Sequence, residues 1–209
     1  MRNEIDSLFQ QLEGAVRRAI KKAERSNIKV EISQSTVALR SFYALHCGTR
    51  KKHGLPPQPY SFFGCIDQHV LNKGNGFVAI ATHDQVPIAG AVFLHLGSKA
   101  IYKFGASNEQ FQHLRGSNLV IWESIKWLAA NGFTELNFGK TSLCNEGLRR
   151  FKLGWGAEEY RLPYAKYDFK KERFVEDRDP AHAWYNRVFQ QLPLPLLRLI
   201  GRFCYKHLV

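Results

Sequence analysis

The sequence predicts an α/β protein with a mixed, mostly antiparallel central sheet flanked by helices. Three β-rich runs follow one another after short turns, and a helix, a strand, a short helix and a last strand come after them. Short turns join antiparallel strands, whereas a strand–helix–strand unit adds a parallel strand. The 209 residues are enough for one well-cored domain with a short appendage.

The first part of the chain is predicted to be mostly helical. Residues 5–25 repeat apolar side chains every three or four positions, which predicts one amphipathic helix with basic residues on its other face. An alternating strand follows over residues 28–32, and a second helix begins at Ser35-Thr36. The prolines of residues 54–59 exclude regular structure, and a third helix covers residues 60–71.

The middle of the chain supplies the sheet. Residues 77–81, 86–96 and 100–106 are rich in β-forming side chains and are separated by turns, so they predict a three-stranded meander. Residues 118–131 have an apolar stripe of helical spacing, and Gly132 supplies a stop signal. Residues 133–138 then predict the next strand.

The last part of the chain divides into a domain end and a tail. After a polar loop, residues 145–153 predict a short helix and residues 157–167 a long final strand, which ends a domain of residues 1–169. The remaining residues, 170–209, are predicted to form a helical tail. One tail helix carries Trp184, Val188 and Phe189, and a basic amphipathic helix covers residues 196–209.

The net charge of +12 indicates an anionic partner, such as nucleic acid, a phosphorylated substrate or a membrane surface, without choosing among them. Residues 15–52 alone hold ten basic and two acidic side chains. The candidates for phosphate or nucleic-acid binding are Arg17, Arg18, Lys21, Lys22, Arg50, Lys51 and Lys52.

Several kinds of site are disfavoured. The four cysteines and eight histidines have no zinc-ligand spacing, so no metal site is expected. The cysteines are expected to be free thiols in a reducing cytosol. The sequence Phe138-Gly139-Lys140-Thr141 ends like a phosphate-binding loop, but Thr134 stands where that loop requires its first glycine, five residues before Gly139. Acidic residues precede any apolar run, and no apolar run is long enough to cross a membrane. We therefore expect a cytoplasmic protein with no transmembrane segment.

Residues 133–164 place polar side chains at one end of the predicted sheet. The candidates for substrate binding in this stretch are Asn137, Gly139, Lys140, Thr141, Ser142, Asn145 and Arg149. Lys152 stands between Phe151 and Trp155, an apolar setting for a cation. The residues alone predict that the two aromatic side chains belong to the core and that the ammonium group of Lys152 reaches water.

The same stretch resembles a known family. Its motifs are Phe138-Gly139-Lys140-Thr141, then Asn145-x-Gly147-Leu148-x-x-Phe151-Lys152-x-x-Trp155-Gly156-Ala157, and then Tyr164. They resemble the C-terminal part of FemAB-related acyltransferases of the GNAT superfamily. Ile101-Tyr102-x-x-Gly105-Ala106-Ser107 resembles the strand before that family's long helix, and the likeness extends over most of residues 15–167.

The resemblance implies a GNAT-like fold that transfers an acyl or aminoacyl group to an amine in the cell envelope or in exopolysaccharide metabolism. It implies that no cofactor is tightly bound. The acyl donor it implies is an aminoacyl-tRNA, an acyl-CoA or an acyl carrier protein. Lys152 matches the lysine that stabilises the negative charge of the transition state, and Phe151 and Tyr102 fall among the substrate-binding positions. Asn137 stands where the family often has aspartate, and residues 112–117 match the usual pyrophosphate loop poorly.

Alternatives stay open at this point. Relatives generally carry two such domains, and this chain resembles the second, so a homodimer or a separate first domain would complete the site. The alternative function is binding without catalysis: a GNAT-fold module would bind tRNA or a protein partner through the basic face of residues 15–52. The helix of residues 196–209 either packs on the domain or a second copy, or makes a peripheral contact with an anionic membrane.

Overall fold

The computed structural model describes residues 2–175 and 185–205. Within these ranges the α-helices are α1 (Arg2–Gln11), α2 (Gly14–Arg25), α3 (Thr36–Lys52), α4 (Tyr60–His69), α5 (Gly116–Ala130), α6 (Glu146–Leu153), α7 (Tyr185–Gln191) and α8 (Leu194–Cys204). The strands there are β1 (Lys29–Ser33), β2 (Gly76–His83), β3 (Val86–Leu96), β4 (Lys99–Ser107), β5 (Glu135–Asn137), β6 (Lys166–Asp168) and β7 (Arg173–Val175). Two short 3₁₀ helices cover Leu71–Lys73 and Glu109–Leu114.

Five strands form one mixed sheet in the order β1-β2-β3-β4-β5. The first four are antiparallel neighbours, and β5 is parallel to β4, as the sequence predicts. The turn between β2 and β3 places Asp84 and Gln85 at φ values of +47° and +64°. This conformation at both central residues matches the twist of a tight hairpin.

The sheet is covered on both sides because the central strands are apolar at successive positions. Phe77 and Ala79 of β2 point to one side, where α2, α5 and the residues after α6 pack. Val78 and Ile80 point to the other side, where α3, α4 and the start of α8 pack. We call these the first face and the second face. The fold therefore has helices on both sides of one sheet.

The predicted helix of residues 5–25 is wrong in one respect, because it is interrupted. Leu12 turns into the core of the first face, and the backbone N–H of Glu13 donates to the carbonyl of Gly154 at 2.9 Å. A Cβ atom at Gly154 would lie 2.9 Å from a Glu13 carboxylate oxygen and 3.0 Å from Val16. The end of α6 is therefore closely packed against the break between α1 and α2.

The predicted strand of residues 157–167 is also wrong. Only Lys166 and Tyr167 lie in a strand, and that strand, β6, pairs with β7 in a separate two-stranded sheet. Tyr160, Leu162 and Tyr164 are between 66% and 76% exposed, so the apolar residues that suggested a buried strand have no core to enter. Pro163 lacks the backbone N–H that a ladder would need there.

The tail packs on the second face. Leu197 of α8 is fully buried, and a Cβ atom at Gly201 would lie 2.0 Å from the carbonyl oxygen of Pro57. A Cβ atom at Gly54, which has a φ of +63°, would likewise lie 2.0 Å from the backbone carbonyl oxygen of Asn186. The packing of α8 thus agrees with one of the alternatives for the tail, while the boundary at residue 169 stays a prediction. Trp184 and residues 206–209 lie outside the described residues.

Candidate active site

Lys152 lies near the end of α6 and holds the loop that follows β5. Its ammonium group donates to the carbonyl oxygens of Gly139 at 3.0 Å and Lys140 at 3.2 Å. Partial burial lowers the pKa of Lys152. An ammonium group has three N–H donors, so one remains for a further acceptor. The ammonium group is therefore anchored to the loop by two hydrogen bonds rather than extended freely into water.

The loop after β5 is shaped by Asn137 and Gly139. The side-chain oxygen of Asn137 accepts a hydrogen bond from the Gly139 backbone N–H at 2.6 Å. Gly139 has a φ of +68°, which side-chain-bearing residues adopt rarely. Together these two residues turn the carbonyl groups of the loop towards Lys152. Asn145 begins α6 by accepting from the Leu148 backbone N–H at 3.1 Å, so it fixes the helix that carries Lys152.

Aromatic side chains form the apolar wall beside this loop. Phe138 is stacked on Trp155 with ring centroids 6.4 Å apart, and it lies 6.0 Å from the ring of Tyr102. Phe151 meets Trp155 edge-on at 6.3 Å. Burial raises the pKa of Tyr102 to about 12, so its phenol stays protonated at neutral pH. A low-polarity wall strengthens the electrostatic effect of a nearby cation.

A cavity of about 200 Å³ opens where α5 begins. Its lining includes Ile88, Ser107, Asn108, Arg115, Ser117 and Phe151. The backbone N–H groups of Gly116 and Ser117 have no acceptor among the described residues, as expected for the first turn of a helix. Phe151 places one wall of the cavity on α6, next to Lys152 in the chain.

The sheet is open beside the loop after β5. β5 pairs with β4 only from Lys99 to Ile101, where Asn137 is the last partner. From Tyr102 to Ser107, β4 continues along β3 but has no neighbour on its other side within the described residues. At Ser107 both backbone groups already bond to the Thr49 hydroxyl, at 3.1 Å and 3.3 Å. The edge of residues 102–106 can therefore hydrogen-bond an extended ligand that enters the gap.

The structure gathers most of the predicted substrate-binding residues around this gap, and several are already engaged. The Lys140 ammonium group lies 4.1 Å from the centre of the Tyr164 ring. Arg149 donates to both carboxylate oxygens of Glu159, at 2.7 Å and 2.8 Å. The Thr141 hydroxyl is buried without a partner in the described part of the chain. The Ser142 backbone carbonyl accepts a hydrogen bond from the Asn145 N–H at 3.0 Å, which closes the turn before α6.

The basic residues of 15–52 do not form one surface, which corrects that expectation. Those of α2 lie on the first-face side, whereas those at the end of α3 lie on the second-face side, because the two helices pack on opposite faces of the sheet. On the second-face side, Arg50 donates to the Pro56 carbonyl at 3.1–3.2 Å, and Lys52 pairs with Glu109 at 2.8 Å. On the first-face side, Arg17 is half-buried and donates to Gln10, and Lys21 is exposed and lies over the ring of Phe9. The other three basic candidates are Arg18, Lys22 and Lys51.

Sequence reasoning missed the cavity residues at the start of α5. Arg115 adopts φ +63° directly before the helix, and a Cβ atom at Gly116 would lie 3.0 Å from Ile88. The available signal was a glycine at the junction between a strand-and-turn segment and a strongly apolar helix. Residues 112–117 match the usual loop poorly in sequence, yet they form the expected helix start.

No group of three or more His, Cys, Asp or Glu side chains in the described ranges could hold a metal ion. None of the helices in residues 2–175 and 185–205 combines the length and apolar character needed to cross a bilayer.

The chain resembles known proteins in sequence and in structure. A family model described as an acetyltransferase (GNAT) domain matches residues 11–142. No curated protein gives a significant match to the chain. FemX superposes with a TM-score of 0.67 at 18% identity, over 73% of this chain and 56% of its own length.

Two aminoglycoside acetyltransferases have a similar fold. One, meta-AAC0020 from an uncultured soil metagenomic sample in complex with sisomicin, gives a TM-score of 0.54 at 16% identity, over 68% of this chain and 96% of its own. The other, AAC(6')-Iy in complex with a bisubstrate analogue containing CoA, gives a TM-score of 0.55 at 16% identity, over 68% of this chain and 99% of its own. At these identities the likeness shows a shared fold.

Proposed function

Because the chain belongs to the GNAT family of acetyltransferase domains, we propose that it is an N-acyltransferase that moves an acyl group from a CoA thioester to an amine. The observation that carries this proposal is the cavity at the start of α5, which lies beside the open edge of β4 and shares α6 with Lys152.

The cavity suits the diphosphate of an acyl-CoA donor. Two free backbone N–H groups, those of Gly116 and Ser117, lie at the positive end of the α5 dipole, and Arg115 adds a full charge. Such a helix start binds phosphate groups. The acyl arm of the donor would then extend along the free edge of β4, whose backbone groups match the amides of that arm. The complex of AAC(6')-Iy with a CoA-containing analogue supports this class of donor.

Lys152 would act on the charge that develops during transfer. The amine nitrogen attacks the thioester carbonyl carbon, and the carbonyl oxygen becomes negative in the tetrahedral intermediate. The C–S bond then breaks, the thiolate takes up a proton, and the new amide nitrogen gives up one. The third N–H of Lys152 would stabilise the oxyanion, while its other two bonds to the loop keep the ammonium group in place.

The acceptor is proposed to be an amine of a cell-envelope precursor, which the shared fold with FemX supports. The matched part of this chain spans 56% of FemX, so a partner surface that completes the acceptor site is part of the proposal. An aminoacyl-tRNA donor is the alternative. It would also bring phosphate groups to the protein, through the basic end of α2, where Arg17, Arg18, Lys21 and Lys22 lie within two turns.

Calorimetric titration of the full chain with acetyl-CoA tests the donor. Ser117→Pro removes one N–H in the first helical turn, where proline is tolerated, whereas Ser117→Ala keeps it. We expect roughly tenfold weaker binding for Ser117→Pro and little change for Ser117→Ala. Equal affinities of the two variants, or no binding by the wild-type chain, would contradict the proposed donor site.

The tRNA alternative has its own measurement. Filter binding of aminoacyl-tRNA, repeated over a series of salt concentrations, reports contacts between phosphates and basic residues. Salt-sensitive tRNA binding together with no acetyl-CoA binding would replace the CoA donor by a tRNA donor.

A further inference from the structure

The α7–α8 segment has an exposed apolar ridge that the fold does not cover. Leu196, Leu199 and Phe203 of α8 are 42%, 49% and 61% exposed. Their spacing of three and four residues places them on one side of the helix. Leu197 and Gly201, which pack on the second face, lie on the other side. Helix α8 is thus apolar on two sides, of which the domain buries only one.

The charged side chains of the segment that carries this ridge are all of one sign. Residues 185–205 contain Arg187, Arg198 and Arg202 and no acidic residue. Arg198 lies over the ring of Tyr43, 5.4 Å from its centre, on the side that faces the domain. Arg187 and Arg202 are exposed, and Arg202 directly precedes Phe203 on the helix that carries the ridge.

The docking of α8 on the domain makes the ridge a fixed surface. Gln190 of α7 donates to the Lys52 carbonyl at 3.0 Å, and Tyr205 after α8 meets the ring of Phe62 at 5.4 Å. Both ends of the segment are therefore tied to α3 and α4. An amphipathic helix presented in this way can lie in the plane of a bilayer surface with its apolar side inserted.

We propose that the exposed ridge of Leu196, Leu199 and Phe203 binds the surface of an anionic lipid bilayer. An apolar stripe with arginines and no carboxylates complements lipid tails and acidic headgroups together. A second copy of the chain is the less favourable occupant, because a symmetric contact through the ridge would bring the arginines of two copies together. This surface is on the second-face side, away from Lys152, so the inference does not depend on the proposed transfer reaction.

Co-sedimentation of the full chain with vesicles tests the proposal. One set of vesicles contains equal parts of phosphatidylglycerol and phosphatidylcholine, and the other contains phosphatidylcholine alone. We expect binding to the first set, weakened by added salt, and little binding to the second. Equal binding to both sets, or binding to neither, would overturn the proposal.

Matched variants locate the contact. The double variant Leu199→Ser and Phe203→Ser changes only exposed side chains and is expected to bind anionic vesicles at least roughly tenfold more weakly. Leu96→Ser removes an apolar side chain that is 80% exposed at the turn between β3 and β4, and it should bind as the wild type does. Arg202→Gln should weaken binding roughly fivefold, and Lys29→Gln, on β1, much less.

Unchanged vesicle binding by the double variant would show that the ridge is not the contact. A second contradictory result would come from sedimentation velocity. A dimer that the double variant abolishes, together with the absence of vesicle binding, would assign the ridge to a second copy of the chain.

Discussion

The two faces of the sheet share the same strands but differ in how deeply their polar side chains are buried. On the first-face side, Lys152 of α6 is only partly buried, and its chain neighbour Phe151 lines the cavity at the start of α5. On the second face, His46 is closed in among aromatic rings and α8 covers the core. The proposed transfer site thus lies on the first-face side, whereas α8 packs on the second face. Variants of the two faces should therefore separate transfer activity from the free energy of unfolding.

The largest separation is expected at Lys152. Replacing it with Ala should lower the rate of acyl transfer about 100-fold or more, because a preorganised donor to the oxyanion is lost. The free energy of unfolding should change by no more than about 1 kcal/mol, because the side chain is only partly buried. Thiol release from acetyl-CoA in the presence of a panel of amines measures the rate.

Two further variants make the Lys152 result specific. Lys152→Gln keeps donors for the loop carbonyls but removes the charge, so it should lose nearly as much activity as Lys152→Ala. Arg150→Ala removes an exposed cation from the same helix and should leave the rate unchanged. Full activity in Lys152→Gln would remove the charge from the mechanism.

His46 should make stability depend on pH without a matching effect on the site. Burial lowers its pKa to about 4, and its Nε2–H donates to the Gln58 side-chain oxygen at 2.6 Å. The unfolded chain, with an ordinary histidine pKa, binds a proton more readily, so stability falls as the pH drops from about 6.5 to about 4. The loss is roughly 3 kcal/mol across that window.

Urea denaturation at a series of pH values checks this expectation. His46→Gln, which keeps a donor for Gln58 but does not titrate, should lose most of the slope between pH 6.5 and 4. An unchanged slope in that variant would mean that other groups cause the pH dependence.

Gly201 tests how tightly α8 is held. Gly201→Ala should destabilise the protein by about 2 kcal/mol, because its Cβ would overlap the Pro57 carbonyl. Gly48→Ala is the matched control: it also lies in a helix, and nothing stands within 4 Å of the added carbon. That control should stabilise the protein by up to about 1 kcal/mol. Thermal unfolding curves distinguish the two, and equal effects would contradict the close packing of α8.

The smallest effect is expected at Asn137. Asn137→Ala removes the hydrogen bond to Gly139, so the loop carbonyls that hold Lys152 should be less well fixed. We expect acyl transfer to be about fivefold slower as a result. Asn72→Ala, at an exposed turn away from the site, should have the wild-type rate. The transfer assay with both variants, run alongside their unfolding curves, separates a loop effect from a loss of fold. A slower rate in both variants would argue against a specific role for Asn137.

The sequence predicted the mixed sheet, the helix before β5 and the proximity of residues 137–152, because these depend on local periodicity and short connections. It could not predict the break at Leu12, because that break depends on a bond from Glu13 to Gly154, far along the chain. The failed strand of residues 157–167 shows the same limit: apolar spacing was right for a strand, but no neighbouring edge receives it. Residues 15–52 looked like one basic surface because the sequence does not show which side of the sheet a helix takes.

Hydrogen exchange of the full chain with and without acetyl-CoA tests the central claim most directly. We expect acetyl-CoA to slow exchange at the amides of Gly116 and Ser117 and along β4 after Tyr102, with no change in α8. Protection confined to α3 and α8, or no protection anywhere at saturating acetyl-CoA, would contradict a donor site at the start of α5.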